Sequence, residues 1–475
     1  MSSYTISNTK LNPNRVFILQ KSELEKRLDP AFYYELRNNK FEFAYPSKTI
    51  SRIVKSYSGG TPNKSISDFW NGDICWASPK DMKDFYLEDT KDKITFEGIK
   101  NSSASIAPKG SVLIVFRSGI LKHTLPVSIT KVETSINQDL KVLVPTDDVL
   151  PEYLAVFLKT FEKRILPRIV KHSTTVQSIN QDEFNQLAIP IPEIEIQKKV
   201  IDIYKSSIEQ KKQNEAEADK LLSSIDDYLL GELGINLPEP PENTLKNRMF
   251  TVSLKDISGS RFDPFIYQKY FQGLFNAIKN CKYETIPLKM AIAKLSKGIE
   301  VGSKEYVSDG FSFVRVADID DFNIRVNNTD KKINADTFYK LKNFYKPNVG
   351  EILYTKDGTI GFCVVVEKDE DYIISSGILR IDTNYNFNNY FLKYLLSSNL
   401  FKQLSERISI GTVIKHLTLN DWLNIQIPSP PLDKQIEIAK HISGIREQVE
   451  KLKDKTAEAL KKASKEIEKL LIGDQ

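Results

Sequence analysis

The sequence predicts a mixed α/β (α+β) protein in which two similar globular regions are each followed by a long helix. A proline-rich strand exit that leads into a polar helix occurs twice, because Pro190 and Pro428 lie 238 positions apart. Gln197 and Gln435, at the start of the two helices, repeat the same separation. Since half of the 475 residues is about 237, we interpret the whole chain as two copies of one unit.

The repeat extends into the globular regions. An Arg-x-Asp-Pro segment occurs at residues 27–30 and again at residues 261–264, and Asp81 and Asp318 lie 237 positions apart. Short predicted strands alternate with glycine-containing loops in both halves, and few β-α-β patterns are present. The order of strands and loops is kept while the loop residues differ. Divergent loops on a common frame are what two readers of different ligands would show.

Each long helix carries apolar residues three and four positions apart, the spacing of a coiled-coil seam. One narrow apolar stripe needs a partner to bury it. A homodimeric coiled coil, or a helix packed on its own domain, would explain one such stripe, but two in one chain favour pairing with each other. The residues predicted to pair are Ile201, Ile208, Leu222, Ile225 and Leu229 in the first helix and Ile442, Ile445, Val449, Leu452 and Ile467 in the second.

The residues alone leave the orientation of this helix pair open. An antiparallel pair has a two-fold axis across it, so it would make the two repeats pseudo-symmetric. About 38 helical residues at ~1.5 Å each form a rod of roughly 57 Å, which we interpret as a spacer. The predicted organisation is a first globular domain at 1–192, a spacer helix at 193–235, a proline-rich linker at 236–250, a second globular domain at 251–430 and a C-terminal spacer helix at 431–475.

Composition narrows the class of protein. Apolar residues make up 40% of the chain, enough to fill two cores, and the net charge of +5 is too small to indicate a polybasic protein. Any nucleic-acid surface is therefore expected to be local.

Cys75, Cys281 and Cys363 are far apart and the four histidines are scattered, which argues against a structural zinc or a disulfide framework. The apolar runs are too short to span a membrane, so we expect a cytoplasmic protein without a membrane partner.

No nucleotide-binding, hydrolase or metalloprotease motif occurs in the sequence. Asp81 followed by Asp89 and Lys91 superficially resembles a nuclease core, but the second half does not reproduce it. The chain is better explained as a binding and positioning device without catalytic or metal-ligating residues. Two alternatives are a coiled-coil scaffold unrelated to DNA and a stand-alone DNA methyltransferase or nuclease. The scaffold leaves the duplicated glycine-rich loops unexplained, and the enzyme requires a cofactor or metal motif.

Taken together, these residues resemble the specificity (S) subunit of type I restriction-modification systems. The resemblance covers almost the whole chain and rests on an ordered, duplicated set of motifs. The set comprises the two Arg-x-Asp-Pro segments, Gly-Gly-Thr-Pro at 59–62, Trp-x-Gly-x-Ile-x-Trp at 70–76, Lys80-Asp81, Asp-Gly-Thr-Ile-Gly at 357–361 and the two Ile-Pro-x-Pro entries to the helices. The first half departs from the Asp-Gly-Thr-Ile-Gly pattern at 117–119, and the second half lacks Gly-Gly-Thr-Pro.

The resemblance implies two target-recognition domains on antiparallel helices, which read the two halves of a split double-stranded DNA target. The helices would fix the gap between the half-sites. It further implies two methyltransferase (M) subunits and endonuclease/translocase (R) subunits as partners. The chain itself would be non-catalytic and carry no cofactor, with S-adenosylmethionine and ATP on the partner subunits. An adenine would be flipped into each methyltransferase.

Side chains with bidentate or donor capacity in the loops are the predicted base readers. These are Thr61, Asn63, Lys64, Lys80, Arg117 and Ser118 in the first domain and Lys297, Lys304, Arg315, Lys356 and Asp357 in the second. Residues just before the helices are predicted to contact phosphates, namely Lys171, His172, Thr174, Lys415 and His416. The alternative for each of them is an ordinary solvated side chain.

Overall fold

A computed structural model describes residues 42–171, 176–242, 244–257, 267–411 and 415–473, together with Leu19, Lys21 and Tyr33. Both Arg-x-Asp-Pro segments lie outside the described residues. The chain divides into two compact units, unit 1 with residues 1–214 and 454–475 and unit 2 with residues 215–453. Each long helix contributes one half to each unit, and the predicted domain boundaries stay a prediction. Within the described part, none of the helices carries an apolar stretch long enough to cross a membrane.

Unit 1 is built from short strands and short helices ahead of the first long helix. Its strands are β1 (Ser47–Thr49), β2 (Val54–Ser58), β3 (Trp70–Ala77), β4 (Tyr86–Leu87), β5 (Asp92–Ile94), β6 (Ser105–Ala107), β7 (Val112–Val115), β8 (Val127–Thr130), β9 (Thr134–Ile136), β10 (Leu140–Pro145), β11 (Val170–Lys171), β12 (Ser178–Ile179) and β13 (Ala188–Pro190). Its helices are α1 (Ile50–Ile53), α2 (Phe96–Lys100), α3 (Pro151–Thr160), α4 (Glu162–Ile169) and α5 (Gln181–Asn185), and α6 (Ile194–Leu233) follows them.

Two sheets form the frame of unit 1. The first has the strand order β2-β10-β7-β8-β4, and the second has the order β5-β3-β9-β6 with β3 and β9 parallel. Every residue of β7 is buried, because β10 and β8 flank it and helix α3 packs across it. Strand β13 pairs with β1 shortly before α6 begins.

Most elements of unit 2 follow the order seen in unit 1. Its strands are β14 (Thr285–Pro287), β15 (Ile292–Lys297), β16 (Tyr306–Val307), β17 (Phe311–Val314), β18 (Lys332–Ile333), β19 (Ile352–Thr355), β20 (Cys363–Val365), β21 (Tyr372–Ile374), β22 (Ile378–Thr383), β23 (Ser409–Ile410), β24 (His416–Leu417) and β25 (Gln426–Pro428). Its helices are α7 (Leu245–Arg248), α8 (Leu254–Ile257), α9 (Lys269–Lys279), α10 (Ala335–Tyr345), α11 (Asn389–Ser397), α12 (Asn399–Ile408), α13 (Leu419–Leu423) and α14 (Leu432–Ile472).

Four strands of the main sheet follow the same order in the two units, and β4 of unit 1 has no counterpart in the main sheet of unit 2. The sheet β15-β22-β19-β20 corresponds to β2-β10-β7-β8, and the parallel pair β17–β21 corresponds to β3–β9. The pairs β14–β25 and β23–β24 correspond to β1–β13 and β11–β12. The predicted mixed fold with an internal repeat is therefore confirmed. One difference is that the segment between β18 and β19 forms the longer helix α10, whereas unit 1 has α2 and then β6.

A buried glutamine fixes the start of each long helix. The Gln197 amide accepts a hydrogen bond from Leu150 N (2.9 Å) and donates to Asp148 O (2.8 Å) and Pro192 O (3.0 Å). In unit 2 the Gln435 amide accepts from Asn388 N (2.9 Å) and donates to Asn386 O and Pro430 O. The 238-residue repeat of glutamine thus reflects a repeated three-bond clamp to main-chain atoms.

The two long helices run antiparallel within each unit. In unit 1 the start of α6, at Val200 and Ile201, shares a core with Ile467 and Leu471 at the end of α14. In unit 2 the end of α6 packs in the core with the start of α14, since Leu229, Leu230 and Leu233 lie with Ile438, Ala439 and Ile442. The antiparallel arrangement implied by the family resemblance is therefore confirmed.

Polar pairs accompany the apolar contacts of these helices. In unit 1 Asn214 Nδ2 donates to Thr456 Oγ1 at 2.9 Å. In unit 2 the Tyr228 and His441 rings stack with centroids 3.9 Å apart. Of the residues predicted to pair, Ile201, Leu229, Ile442, Val449 and Ile467 are buried, and Ile208, Leu222, Ile225, Ile445 and Leu452 are half-buried.

Candidate nucleic-acid interface

The loops at one end of the unit 1 sheets converge on the turn 137–139. Gly60 N donates to Ile136 O (3.0 Å), and Thr61 Oγ1 donates to Gln138 Oε1 (2.6 Å). From the other side, Arg117 Nε lies 2.6 Å from Asp139 Oδ1. Two predicted base readers, Thr61 and Arg117, are therefore brought to neighbouring residues of one turn.

The close approach at this turn requires glycine. A Cβ on Gly59 would lie 1.9 Å from Ile136 O, far inside van der Waals contact, so no other residue fits without moving the main chain. In unit 2 a Cβ on Gly298 would lie 2.3 Å from Ile374 O. Gly60 is also crowded, because a Cβ there would lie 2.0 Å from Ser103 Oγ, but Ile299 stands at the equivalent position of unit 2. The Gly-Gly-Thr-Pro motif is absent from the second half, and only the first of its two glycines has a counterpart there.

The strand pair β11–β12 completes this end of unit 1. Ser118 N donates to Gln177 O (3.0 Å), and Arg117 forms an isolated bridge with Ser178, which also pairs with Lys171. Ser118 Oγ accepts from Ile120 N and caps a short 3-10 helix, so this hydroxyl has a structural role. The predicted phosphate contacts His172 and Thr174 lie outside the described residues.

Three other predicted residues of unit 1 stand apart from this turn. Asn63 Oδ1 accepts from Ser65 N (3.0 Å), and Asn63 O accepts from Trp70 Nε1 (3.2 Å), so Asn63 stabilises its own loop. Lys64 and Lys80 are exposed. Lys80 lies in a turn that Asp81 closes by accepting from Ser78 N and Oγ.

In unit 2 the equivalent loops meet in the same way with different side chains. Ile299 N donates to Ile374 O (3.1 Å), and Ser376 Oγ hydrogen-bonds to the Glu300 carboxylate. This pair stands where unit 1 has Thr61 and Gln138. A hydroxyl–carboxylate pair therefore replaces a hydroxyl–amide pair on the same frame.

A cluster of charged side chains lies in the loop that follows β19 in unit 2. The Lys356 ammonium pairs with the Asp357 carboxylate, whose Oδ1 also lies 2.9 Å from His416 Nδ1. Gly358 N donates to Lys415 O, and the Lys415 ammonium pairs with Glu406. Four of the predicted DNA-contacting residues, Lys356, Asp357, Lys415 and His416, are thus gathered beside the β23–β24 pair.

The remaining predicted residues of unit 2 are more dispersed. The Arg315 guanidinium lies 3.6 Å from Asp318 and 3.4 Å from Asp330. Lys304 is exposed in the 3-10 helix Ser303–Glu305, and Lys297 is exposed at the end of β15. Within the described ranges, no group of three or more His, Cys, Asp or Glu side chains could hold a metal ion.

The sequence matches the family described as the type I restriction modification DNA specificity domain over residues 45–220 and 302–462, well over half of the chain. The chain belongs to this family. The resemblance inferred from the sequence is thereby confirmed. A solved structure from a study of complex assembly and conformational transition of the type I R-M system aligns with 92% of this chain and 100% of its own, with 16% identity and a TM-score of 0.52. That likeness shows a shared fold.

Several curated relatives of this specificity-domain chain are specificity subunits. The EcoR124I/EcoR124II specificity subunit of Escherichia coli is 37% identical over 157 residues, 33% of this chain and 39% of that protein. The MjaIX specificity subunit of Methanocaldococcus jannaschii is 31% identical over 175 residues, 35% of this chain and 40% of that protein. A putative MjaX specificity subunit of the same organism is 26% identical over 328 residues, 68% of this chain and 67% of that protein. The first two matches thus span about two fifths of those relatives.

A further element of this specificity-domain chain was missed by the sequence reasoning. Asp81 and Asp318 each begin an Asp-x-x-Asp-Phe segment, residues 81–85 and 318–322, which we term the docking loops. In unit 1 the Phe85 ring lies 4.9 Å from the Tyr204 ring of α6, and Asp84 O accepts from Ser128 Oγ. The two aspartates and the phenylalanine of the segment recur 237 positions apart, and this repeat could have identified the docking loops from the sequence.

Cationic side chains of three helices, α11, α12 and α14, contact the docking loop of unit 2. Arg446 and Lys453 of α14 lie 4.0 and 4.1 Å from the centroid of the Phe322 ring. Asp321 Oδ2 accepts from Lys402 Nζ (2.6 Å), and Asp321 O accepts from Lys393 Nζ (3.2 Å). Burial, and secondarily the charge of Arg446, lowers the pKa of Lys393 to about 7. Each docking loop therefore attaches the sheet region of its unit to a long helix, by aromatic packing in unit 1 and by cation–π contacts in unit 2.

Proposed function

We propose that this chain is the DNA sequence-specificity subunit of a type I restriction-modification complex, in which each unit reads one half of a bipartite, asymmetric DNA target. The observation that supports this most strongly is that equivalent sheets hold equivalent loops with different side chains. Thr61 and Gln138 of unit 1 are replaced by Glu300 and Ser376 in unit 2, and Phe116 and Arg117 are replaced by Lys356 and Asp357. Two different donor and acceptor patterns on one frame suit two different base sequences.

Direct readout in the major groove depends on side chains that present donors and acceptors together. In unit 1 the exposed Gln138 amide, beside Thr61, has the geometry that suits an adenine edge, and Arg117 can donate to a guanine. In unit 2 the Glu300 carboxylate can accept from a cytosine amino group, and Lys356 can donate to a guanine. Gln138 and Glu300 were absent from the residues predicted from the sequence, and we add them as candidate base readers.

We further propose that the chain performs no chemistry and positions its partners. The partners are two methyltransferase subunits that carry S-adenosylmethionine and endonuclease/translocase subunits that use ATP, and the complex acts in the cytoplasm. Helices α6 and α14, of 40 and 41 residues, would set the gap between the half-sites and offer the partners a docking surface. Membership of the specificity-domain family and the specificity subunits among its relatives support this assignment.

Single-molecule sequencing of methylated adenines tests the proposal directly. DNA is compared from cells that express this chain with its neighbouring methyltransferase and from cells that express the methyltransferase alone. We expect a split, asymmetric motif with a fixed gap only when the chain is present. Replacing residues 1–190 with those of another member of the family should change one half of the motif and leave the other half and the gap unchanged.

Base contacts are tested by paired variants in the same assay. Gln138→Ala is expected to reduce methylation or relax the motif at one position of the unit 1 half-site. Lys109→Ala, an exposed change in the turn between β6 and β7 at a residue outside the candidate interface, is the control for a general effect on binding. If the complex forms but methylation is the same with and without the chain, specification of DNA by this chain is wrong, and the scaffold hypothesis replaces it.

A further inference from the structure

Unit 2 contains a surface groove of about 720 Å³ that has a pronounced cationic lining. One wall is strand β15, which contributes Lys294 and Lys297, and the other is the end of α10, which contributes Lys342, Phe344 and Lys346. Arg380 of β22 forms part of the floor. The groove begins beside Gly298, where the chain enters the candidate DNA-reading loops, and follows the edge strand away from them.

Not every cation in the groove is available to a ligand. The buried Arg380 guanidinium makes two hydrogen bonds to the Glu351 carboxylate (2.8 and 2.9 Å) and a third to Phe344 O (2.8 Å), so it holds the two walls together. Lys346 pairs with Asp371 at 2.8 Å and with Asp369 at the same distance.

Three lysines remain without a counter-charge in the groove. Among the described residues, Lys294, Lys297 and Lys342 form no ion pair, and Lys342 Nζ lies 4.8 Å from the Tyr339 ring. Lys294 and Lys297 are three positions apart on an extended strand, so their side chains leave opposite faces of it, and Lys297 also lines the neighbouring cavity with Leu295 and Lys356. Lys294 on one wall and Lys342 on the other are therefore the cations that the groove offers to a ligand.

The groove exists in unit 2 because one strand of the repeat is missing there. In unit 1 the corresponding edge strand β2 is covered by β6, since Tyr57 Oη donates to Ile106 O (2.8 Å) and Ser105 Oγ donates to Ser58 O (3.2 Å). In unit 2 helix α10 replaces β6, and the pairing of β15 with β22 places Lys297 where unit 1 has Ser58. The same register places Lys294 where unit 1 has Lys55, so the uncovered edge of β15 and Lys342 of α10 are what unit 2 adds.

We propose that this groove binds the phosphates of the DNA backbone next to the half-site read by unit 2. The inference rests on the proposed function and adds an electrostatic contact in unit 2 that includes Lys342 of α10, the helix that stands in the place of β6. Lys294 and Lys342 neutralise phosphates outside the half-site, and Lys297 lies where the groove meets the reading loops. Because such contacts carry no sequence information, they raise affinity for any duplex and leave the recognised motif unchanged.

The test compares two charge reversals in the complex with the methyltransferase subunit. The double variant Lys294→Glu/Lys342→Glu removes two groove cations and leaves the predicted base reader Lys297 in place. Lys340→Glu is the matched control, because Lys340 is exposed on the same helix and does not line the groove. Affinity is measured by fluorescence anisotropy over a salt series, for a duplex with the methylated motif and for one with scrambled half-sites.

We expect the double variant to bind both duplexes about tenfold or more weakly than the wild type, with the slope of log K against log salt reduced by about 0.9 for each lost phosphate. Ethylation of phosphates just outside the unit 2 half-site should interfere with binding of the wild type and of Lys340→Glu only. Equal slopes and equal interference patterns for the double variant and the control would overturn the inference. If the wild type fails to distinguish the two duplexes, the proposed function fails instead, which is a separate readout.

Discussion

At the scale of single residues, two buried glutamines fix the starts of the long helices. Gln197 and Gln435 each satisfy three main-chain groups at a helix start. Gln435→Ala leaves two carbonyls and one N–H without partners, so we expect a loss of about 2–4 kcal/mol in the free energy of unfolding. Urea unfolding measures it. Gln213→Ala, on an exposed face of α6, should change stability by less than about 0.5 kcal/mol.

A second residue-scale prediction concerns Lys393, whose pKa burial lowers to about 7. Arg446 and Lys402 add repulsion around it, and the Asp321 carboxylate and the Cys363 thiol also face it. The unfolded lysine keeps its proton to about pH 10.5, so above pH 7 the unfolded state binds more protons and the stability of unit 2 rises with pH. Burial raises the pKa of Cys363 to about 12, so above pH 9, where an unfolded thiol ionises, the thiol offsets the lysine and the rise ends.

The free energy of unfolding should therefore rise between pH 7 and 9, by on the order of 1 kcal/mol per pH unit. Lys393→Met should remove most of this rise and should be more stable than the wild type at pH 7. Urea titrations at three pH values in that window measure both effects. A wild-type stability that stays flat or falls from pH 7 to 9 would contradict the assignment of a neutral Lys393.

At the scale of elements, the two docking loops make the same connection with different chemistry. Phe322 stacks between Arg446 and Lys453, so Phe322→Ala removes two cation–π contacts and we expect a loss of about 1–2 kcal/mol in stability. Tyr385→Ala is the control, since that side chain is 89% exposed. Under the proposed function, Phe322→Ala also weakens methylation that depends on the unit 2 half-site. Equal thermal unfolding of the two variants would show that the docking loop contributes nothing.

At the scale of the whole molecule, the helix seam is the element that the proposed function makes responsible for the gap in the DNA target. Inserting one heptad into α6 beside Asn214 and one into α14 beside Thr456 preserves the apolar stripe, because the insertion keeps the 3.5-residue period. Seven residues add about 10 Å, the rise of about three base pairs. Methylome sequencing should show the same half-sites with a gap longer by about three. A gap that stays constant would exclude the helices as the spacer.

The sequence was most informative about features that repeat along the chain. Separations of 237 and 238 between proline, glutamine and aspartate residues predicted the duplicated fold, and the heptads predicted the helix pair. The clamp of Gln197 and the required glycine at 298 were beyond reach, because each depends on which main-chain atoms a distant segment brings near. The contacts of Glu300 and Gln138 were missed for the same reason, because no local sequence pattern distinguishes these two residues from other polar residues in loops.

The glutamine clamps bear on how such a protein can change over evolutionary time. Every partner of Gln197 and Gln435 is a carbonyl or an N–H of the main chain, so the joint between a globular region and its helix imposes no side-chain identity on its neighbours. A recombined gene that delivers the same main-chain turn would re-form the joint with an unrelated loop repertoire. The clamp thus joins different globular regions to the same kind of helix, and under the proposed function new target specificities can arise by exchange of whole modules as well as by point mutation.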